Sequence, residues 1–311
     1  MLNFYPKKIA VWNTAFLGDA VLTLPLIQAL HAAWPLAELH FYTRRGFAPL
    51  FDSHPALSAV YEYDKRGRGA LALARQLSVF GREVRGRGYD LWISAHRSAR
   101  SGFMARSSGA PRRIGYSSPW YNRFFYTDLA DRRFTELEEV ERLLQLLLPL
   151  DLQSAGPCPP ARDPQVFRPS IFLPQLAESR VEELLAPLRR AGVARLLGLH
   201  PGSVWATKRW PVEYFAELGR RALAENCGLA LFAGPGEEDM AGEAERLIRL
   251  DSKAGRGPGL LNLGGSLSLT ELAACIKRLD CYVTNDSGPM HLAWAQNVPV
   301  VALFGPTVRG L

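Results

Sequence analysis

The segment Thr284-Asn-Asp-Ser-Gly-Pro-Met-His-Leu-Ala293 has the residue types to hold a phosphorylated sugar. Before it, Leu279-Asp-Cys-Tyr-Val283 is β-rich, and residues 290–296 have the composition of a helix. Asp286 therefore falls at the carboxyl end of a strand, where open α/β sheets bind ligands. Free N–H groups and the positive end of a helix dipole favour an anion there. Ser287 and Gly288 let a ligand come close to the backbone, and Asp286 can accept hydrogen bonds from hydroxyl groups. The alternative is that Asp286 only N-caps the helix.

Three further segments fall at predicted strand ends. In Asn13-Thr-Ala-Phe-Leu-Gly-Asp19, Gly18 permits a tight approach and Asp19 is a carboxylate able to take a proton from a hydroxyl. Helix capping by Asp19 is the competing reading. In His200-Pro-Gly-Ser-Val-Trp-Ala-Thr-Lys-Arg-Trp-Pro211, glycine and hydroxyl groups precede Lys208, which can neutralise charge on a departing phosphate. Trp210-Pro211 is expected to anchor the next helix by packing. In Phe232-Ala-Gly-Pro-Gly-Glu-Glu-Asp239, Glu237 or Glu238 can bind ribose hydroxyls, or stabilise the helix start through its dipole. The chain lacks a Gly-x-x-x-x-Gly-Lys-Ser/Thr loop and a Gly-x-Gly-x-x-Gly fingerprint, which argues against an ATPase and a dehydrogenase. It also lacks an Asp-x-Asp pair, so Lys208 and the helix start near Ser287 would have to stand in for a divalent cation.

These loops need strands and helices in alternation to position them. Strands are predicted over 9–12, 38–42 and 90–94, with helices over 20–33, 70–85 and 135–148. The prolines between Pro149 and Pro174 mark a boundary. The pattern then restarts, with strands over 196–200, 229–232, 281–284 and 298–304. Helices follow over 211–225, 236–250, 269–277 and 290–296, and a glycine-rich loop runs up to Gly265. The expectation is an α/β chain of two Rossmann-like domains with a cleft between them: 1–155, a linker over 156–175, and 176–311. The stop soon after Phe304-Gly-Pro-Thr307 suggests a shortened C-terminus.

Charge is uneven. Residues 65–123 hold thirteen Lys/Arg against two acids, an excess of +11 in a chain of net charge +7. Such a face attracts polyanions, whether nucleic acid or a phosphate-rich membrane, unless it is simply a solvated basic surface. The four scattered cysteines (Cys158, Cys227, Cys275, Cys281) form no Cys-x-x-Cys pair, which suits buried thiols in a reducing cytoplasm rather than zinc or disulfides. Asn13, Asp19, Gln28 and two prolines interrupt the apolar N-terminal region, so no membrane span is expected.

In the order and spacing of these motifs, with Asn262-Leu-Gly-Gly265 and Leu303-Phe-Gly-Pro-Thr307, the chain resembles the heptosyltransferases of glycosyltransferase family 9 from Ile9 to Thr307. The resemblance implies the GT-B fold, an N-terminal acceptor domain and a C-terminal donor domain. It also implies inverting, metal-independent transfer of L-glycero-D-manno-heptose from ADP-heptose to the lipopolysaccharide inner core, with no cofactor. By that likeness Asp19 is the general base, with Thr14 and Gly18 beside it on the acceptor side. Ser203 and Lys208 meet the donor phosphates, Glu237 the ribose and Asp286 the donor sugar, while Ser287, Gly288 and His291 form the phosphate turn. The basic region suits an anionic lipid-linked acceptor (Kdo-lipid A or a heptosyl core), reached from the cytoplasmic face of the inner membrane as a peripheral protein. Transfer of another nucleotide sugar to a surface glycan or protein is a second reading. A non-catalytic polyanion- or nucleic-acid-binding protein is a third, under which the strand-end motifs have no role.

Overall fold

The computed structural model describes residues 4–65, 70–150, 168–250 and 259–305. The chain divides into two units, with the boundary between Phe172 and Leu173. That boundary lies inside the proline-rich segment, of which residues 151–167 fall outside the described residues.

The first unit carries strands β1 (Lys8–Trp12), β2 (Glu38–Arg44), β3 (Ala59–Tyr63), β4 (Leu91–Ser94), β5 (Arg112–Tyr116) and β6 (Asp128–Ala130). They form one sheet in the order β3-β2-β1-β4-β5-β6, parallel throughout. This is the doubly wound order whose reversal lies between β1 and β4, where a ligand crevice opens beyond the strand ends. Ile9 to Trp12 are all buried, as a strand covered on both faces requires. On one face Trp12, Tyr42 and Trp92 pack with Val84, Met104 and Ala105. These last come from α3 (Ala70–Gly86) and α4 (Ala99–Ser107). The indole N–H groups of Trp12 and Trp92 donate to Ser101 and Ser94, so both bulky rings are buried without an orphaned donor.

The second unit repeats the plan. Strands β7 (Arg195–His200), β8 (Cys227–Leu231), β9 (Leu260–Asn262), β10 (Cys281–Asn285) and β11 (Val300–Leu303) are parallel in the order β11-β10-β7-β8-β9. Here the reversal lies between β7 and β10. Helix α6 (Gln175–Arg190) precedes β7. It is followed by α7 (Val212–Ala224), α8 (Glu238–Leu250), α9 (Leu269–Lys277) and α10 (Gly288–Ala295). Phe215, Ala216, Ala241, Ala244 and Ile248 from α7 and α8 pack on Leu199, Leu229, Leu231 and Val283 of the sheet.

Several expectations need correction. The single helix over 20–33 is two, α1 (Leu17–Leu22) and α2 (Leu24–Ala33). Pro25 sits in the first turn of α2 and has no N–H to continue the ladder from α1. The helix over 135–148 is α5 (Glu139–Leu144) followed by a 3₁₀ turn, Gln145–Leu150, that contains Pro149. The expected linker overlaps α6 at Gln175, where Pro174 stands as N-cap in an extended conformation. The stretch expected as a loop up to Gly265 contains β9. Strands β3, β5 and β6 and helix α4 were not expected; β3 and β6 are only five and three residues long, and β5 and α4 are interrupted by Arg, Gly or Ser. Packing explains two of those glycines. A Cβ on Gly102 would sit 2.5 Å from the Phe125 ring, and one on Gly115 the same distance from Tyr126.

Candidate active site

In the second unit the important loops follow β7 and β10, on either side of the strand-order reversal. Asn285 ends β10 and is fully buried. Its amide Nδ2 donates to the carbonyl of Pro201 (2.8 Å), and its Oδ1 accepts the N–H of Trp210 (2.9 Å). One side chain therefore closes both ends of the His200–Trp210 loop and fixes where Lys208 emerges. Lys208 Nζ then lies 2.5 Å from Asp286 Oδ2. Ser287, the next residue, is the N-cap of α10, and Gly288 is its first residue. Ser287, not Asp286, occupies the N-cap position, and the Asp286 carboxylate meets the lysine. Lys208 and the helix start, linked in the sequence only by their chemistry, come together. Pro289 removes one N–H from this turn, so Lys208 carries more of the positive potential than a helix start would ordinarily leave to it.

The bonds of Asn285 yield a prediction. Asn285→Ala leaves the Trp210 N–H and the Pro201 carbonyl without their buried partner, which costs about 1–3 kcal/mol. A lower melting temperature is expected. An unchanged melt would show that the loop does not depend on this residue.

The strand-end glycines serve close packing. A Cβ on Gly202 would lie 2.2 Å from Glu237 Oε2, so the Glu237 carboxylate occupies the space a side chain would need. Gly305 comes closer to backbone. A Cβ there would lie 2.5 Å from the carbonyl oxygen of Thr207, so the Leu303-Phe-Gly segment packs directly behind the Lys208 loop. A cavity of about 490 Å³ is lined by Lys208, Arg209, Trp210, Leu303, Phe304 and Gly305, among others.

Of the two adjacent glutamates, Glu237 faces inward. Its Oε2 lies 3.5 Å from His200 Nε2 and accepts the N–H of Gly234 at 3.3 Å. Those contacts, His200 first, hold its carboxyl below the ordinary value. His200 Nδ1 meets the Tyr282 hydroxyl at 2.7 Å, and burial keeps that phenol protonated. The arrangement that satisfies all three groups has Tyr282 donating to Nδ1 and His200 Nε2–H facing Glu237. Glu238 instead accepts the Gly236 N–H beside its own helix. Ser203 is buried, and its carbonyl accepts from Arg209 Nε at 2.7 Å. His291 is held neutral by burial, its value lowered to about 4, so it can serve as a hydrogen-bonding group but not as a fixed cation. The Asn262-Leu-Gly-Gly265 motif is structural. Asn262 bonds Glu245 and the Gly264 N–H, and Gly265 turns with φ +71° against Glu238.

In the first unit, loops following β1 to β4 and β6 enclose a cavity of about 300 Å³. It is lined by Asn13, Phe16, Asp19, Arg44, Lys65, His96, Arg97, Arg132 and Glu139, together with Ala15 and Ala95. Asp19 sits in the first turn of α1, and its Oδ2 accepts the Phe16 N–H at 3.1 Å. It thus supports the helix start and lines the cavity at once, so both readings of this residue hold in part. Burial is the main cause raising its carboxyl above the ordinary value. The Phe16 bond opposes that shift, Glu139 adds to it, and Arg132 opposes it. Asn13 holds this turn, its Nδ2 donating to the Asp19 carbonyl (3.1 Å) and to Thr23 Oγ1 (2.8 Å).

Thr14 and Gly18 are buried and do not line the cavity. Lys65 and Arg97 come from the basic run, whereas Arg44, Arg132, His96 and Glu139 carried no motif signal. Glu139 forms ion pairs with Arg132 (2.5 Å) and Arg142 (3.1 Å). His96 is neutral, lowered to about 4 first by burial and then by Lys65 and Arg132. Arg44, Lys65, Arg97 and Arg132 outnumber Asp19 and Glu139, so the cavity favours an anionic ligand presented to one carboxylate.

Two Rossmann-like units in one chain, each with charged loops at the carboxyl ends of its strands, make up the GT-B architecture of glycosyltransferases. The family model described as "Glycosyltransferase family 9 (heptosyltransferase)" matches residues 77–310. The chain belongs to that family and is a glycosyltransferase. It is 26% identical over 307 residues to lipopolysaccharide heptosyltransferase 2 of Escherichia coli (strain K12), covering 96% of this chain and 83% of the relative. Among solved structures, the glycosyl transferase family 9 protein from Veillonella parvula DSM 2008 superposes with a TM-score of 0.81 at 25% identity, covering 97% of this chain and 81% of the other. The Escherichia coli ADP-heptose lps heptosyltransferase II superposes with a TM-score of 0.76 at 23% identity, covering 97% and 86%, and supports the fold.

Proposed function

We propose that the chain transfers L-glycero-D-manno-heptose from ADP-heptose to the inner core of lipopolysaccharide, with inversion at the anomeric carbon and without a metal ion. One observation carries the reading. Lys208, Asp286 and the start of α10 converge at the strand-order reversal, in a chain aligned nearly end to end with a lipopolysaccharide heptosyltransferase.

In the proposed reaction Asp19 takes the proton of an acceptor hydroxyl, whose oxygen attacks the anomeric carbon. The bond from that carbon to the β-phosphate oxygen breaks, with oxocarbenium character in the transition state. Charge growing on the departing diphosphate passes to Lys208 and to the amides at Ser287 and Gly288. Asp286 holds Lys208 in place and can bond the sugar hydroxyls. Glu237 is set for the ribose, and Ser203 and His291 complete the donor loop. Lys65, Arg97 and Arg132 draw in the anionic, lipid-linked acceptor. No helix among the described residues is long and apolar enough to cross a membrane. The proposed setting is peripheral, on the cytoplasmic face of the inner membrane.

The test is a mass-spectrometric assay with ADP-heptose and a series of truncated core acceptors, with a chelator present. Heptosylated product formed under chelation is the expected result. Transfer only from another nucleotide sugar, or only with added metal, would overturn the corresponding part.

A further inference from the structure

Two large aromatic side chains stand in solvent where a folded chain would ordinarily cover them. Trp120 is 68% exposed and Phe124 is 62% exposed. Both belong to one 3₁₀ turn, Trp120–Phe124, between β5 and β6. The turn is firmly seated. Asn122 is buried and donates from Nδ2 to the carbonyls of Tyr116 (2.8 Å) and Ser118 (3.2 Å). Phe125 packs over Gly102, and its carbonyl accepts from Arg113 Nε at 2.9 Å. The anchors face inward and the two rings face out, so the exposure is built in rather than left by a loose loop.

The charge beside the rings has one sign. The Arg123 guanidinium lies beside both, 5.4 Å from the Trp120 ring and 5.1 Å from the Phe124 ring. Exposed Arg106 lies near half-buried Arg113 at the Phe125 end of the turn. The nearby acid Asp128 already pairs with Arg112 at 3.2 Å. On α4, Phe103 next to Gly102 is exposed as well. Aromatic rings with a polar edge or an arginine beside them settle at the headgroup level of a bilayer, and basic side chains add attraction to anionic lipid. A nucleic-acid groove would need rings spaced to stack successive bases, whereas here Trp120 and Phe124 meet edge to face at 6.0 Å.

We propose that the Trp120–Phe124 turn, with Arg123, is a docking surface for an anionic lipid bilayer. It takes from the proposed function only that the acceptor is carried on lipid. The test uses the whole chain in sedimentation with vesicles of phosphatidylcholine alone and of phosphatidylcholine mixed with phosphatidylglycerol. The wild type is expected to sediment with the mixed vesicles. Trp120→Ser with Phe124→Ser should reduce that partition by about tenfold or more, whereas Trp120→Tyr should retain it. Arg123→Gln should weaken partition to the mixed vesicles alone. Transfer to a deacylated, water-soluble acceptor should be unchanged in all these variants, so a failure of the proposed reaction shows in that assay and a failure of docking in the other. Equal sedimentation of the double variant and the wild type, or no sedimentation of the wild type, would overturn the proposal. So would binding to DNA, in place of vesicles, that depends on the same two rings.

Discussion

Asp19→Asn should abolish most turnover while ADP still binds. Loss of a general base lowers the rate by about 10²–10⁴-fold, or roughly 3–5 kcal/mol of barrier. Asparagine is the better replacement because its oxygen can still accept the Phe16 N–H that Asp19 accepts at 3.1 Å. Alanine would also lose that support for the helix start, worth about 1 kcal/mol. The raised carboxyl adds two signatures. A base works only when deprotonated, so kcat/KM should fall as pH drops, with its inflection above the ordinary 3.8. Stability runs the other way. A carboxyl whose folded value is raised stabilises the fold below its unfolded value, and that contribution is lost as pH rises through the folded value. At neutral pH the Asn variant should therefore melt no lower than wild type, and should melt higher if burial dominates as the geometry indicates. Full turnover in Asp19→Asn would remove the residue from the mechanism.

Lys208→Met is expected to have the second largest effect, for a different physical reason. A single preorganised group facing the developing charge is worth roughly 10²–10³ in kcat. The substitution also takes away the cation 2.5 Å from Asp286 Oδ2, leaving a carboxylate to face an incoming diphosphate. ADP affinity should therefore fall along with kcat. Adding Asp286→Asn to Lys208→Met should recover part of the ADP affinity, because the repulsion is gone, and none of the turnover. Calorimetry with ADP and single-turnover rates on all three variants form a double-mutant cycle. If the two substitutions act additively on ADP binding, the ion pair does not shape the donor site.

Much of this site was legible in the primary structure because its parts are local. A short strand, a glycine turn and a helix start are specified by neighbours in the chain, so the loops at Asp19, Lys208, Glu237 and Asp286 could be placed at strand ends. The choice between Glu237 and Glu238 could not be made. It depends on where His200 and Gly202 lie, more than thirty residues away in sequence. The cavity around Asp19 was hidden for the same reason. Arg44, His96, Arg132 and Glu139 come from different strand ends and share no motif. The basic run announced an anionic partner but not which of its side chains line the cavity.

Residue order alone determined the repeated α/β pattern, the family likeness and the identity of the chemically able loops, since period, turn residues and motif spacing are properties of neighbouring positions. The folded chain decided the rest. It made Asn285 the clamp of the lysine loop and set Lys208 against Asp286. It also turned Trp120 and Phe124 outward. Those outcomes depend on parallel strands bringing distant residues side by side, and on buried polar groups finding partners that no local pattern specifies.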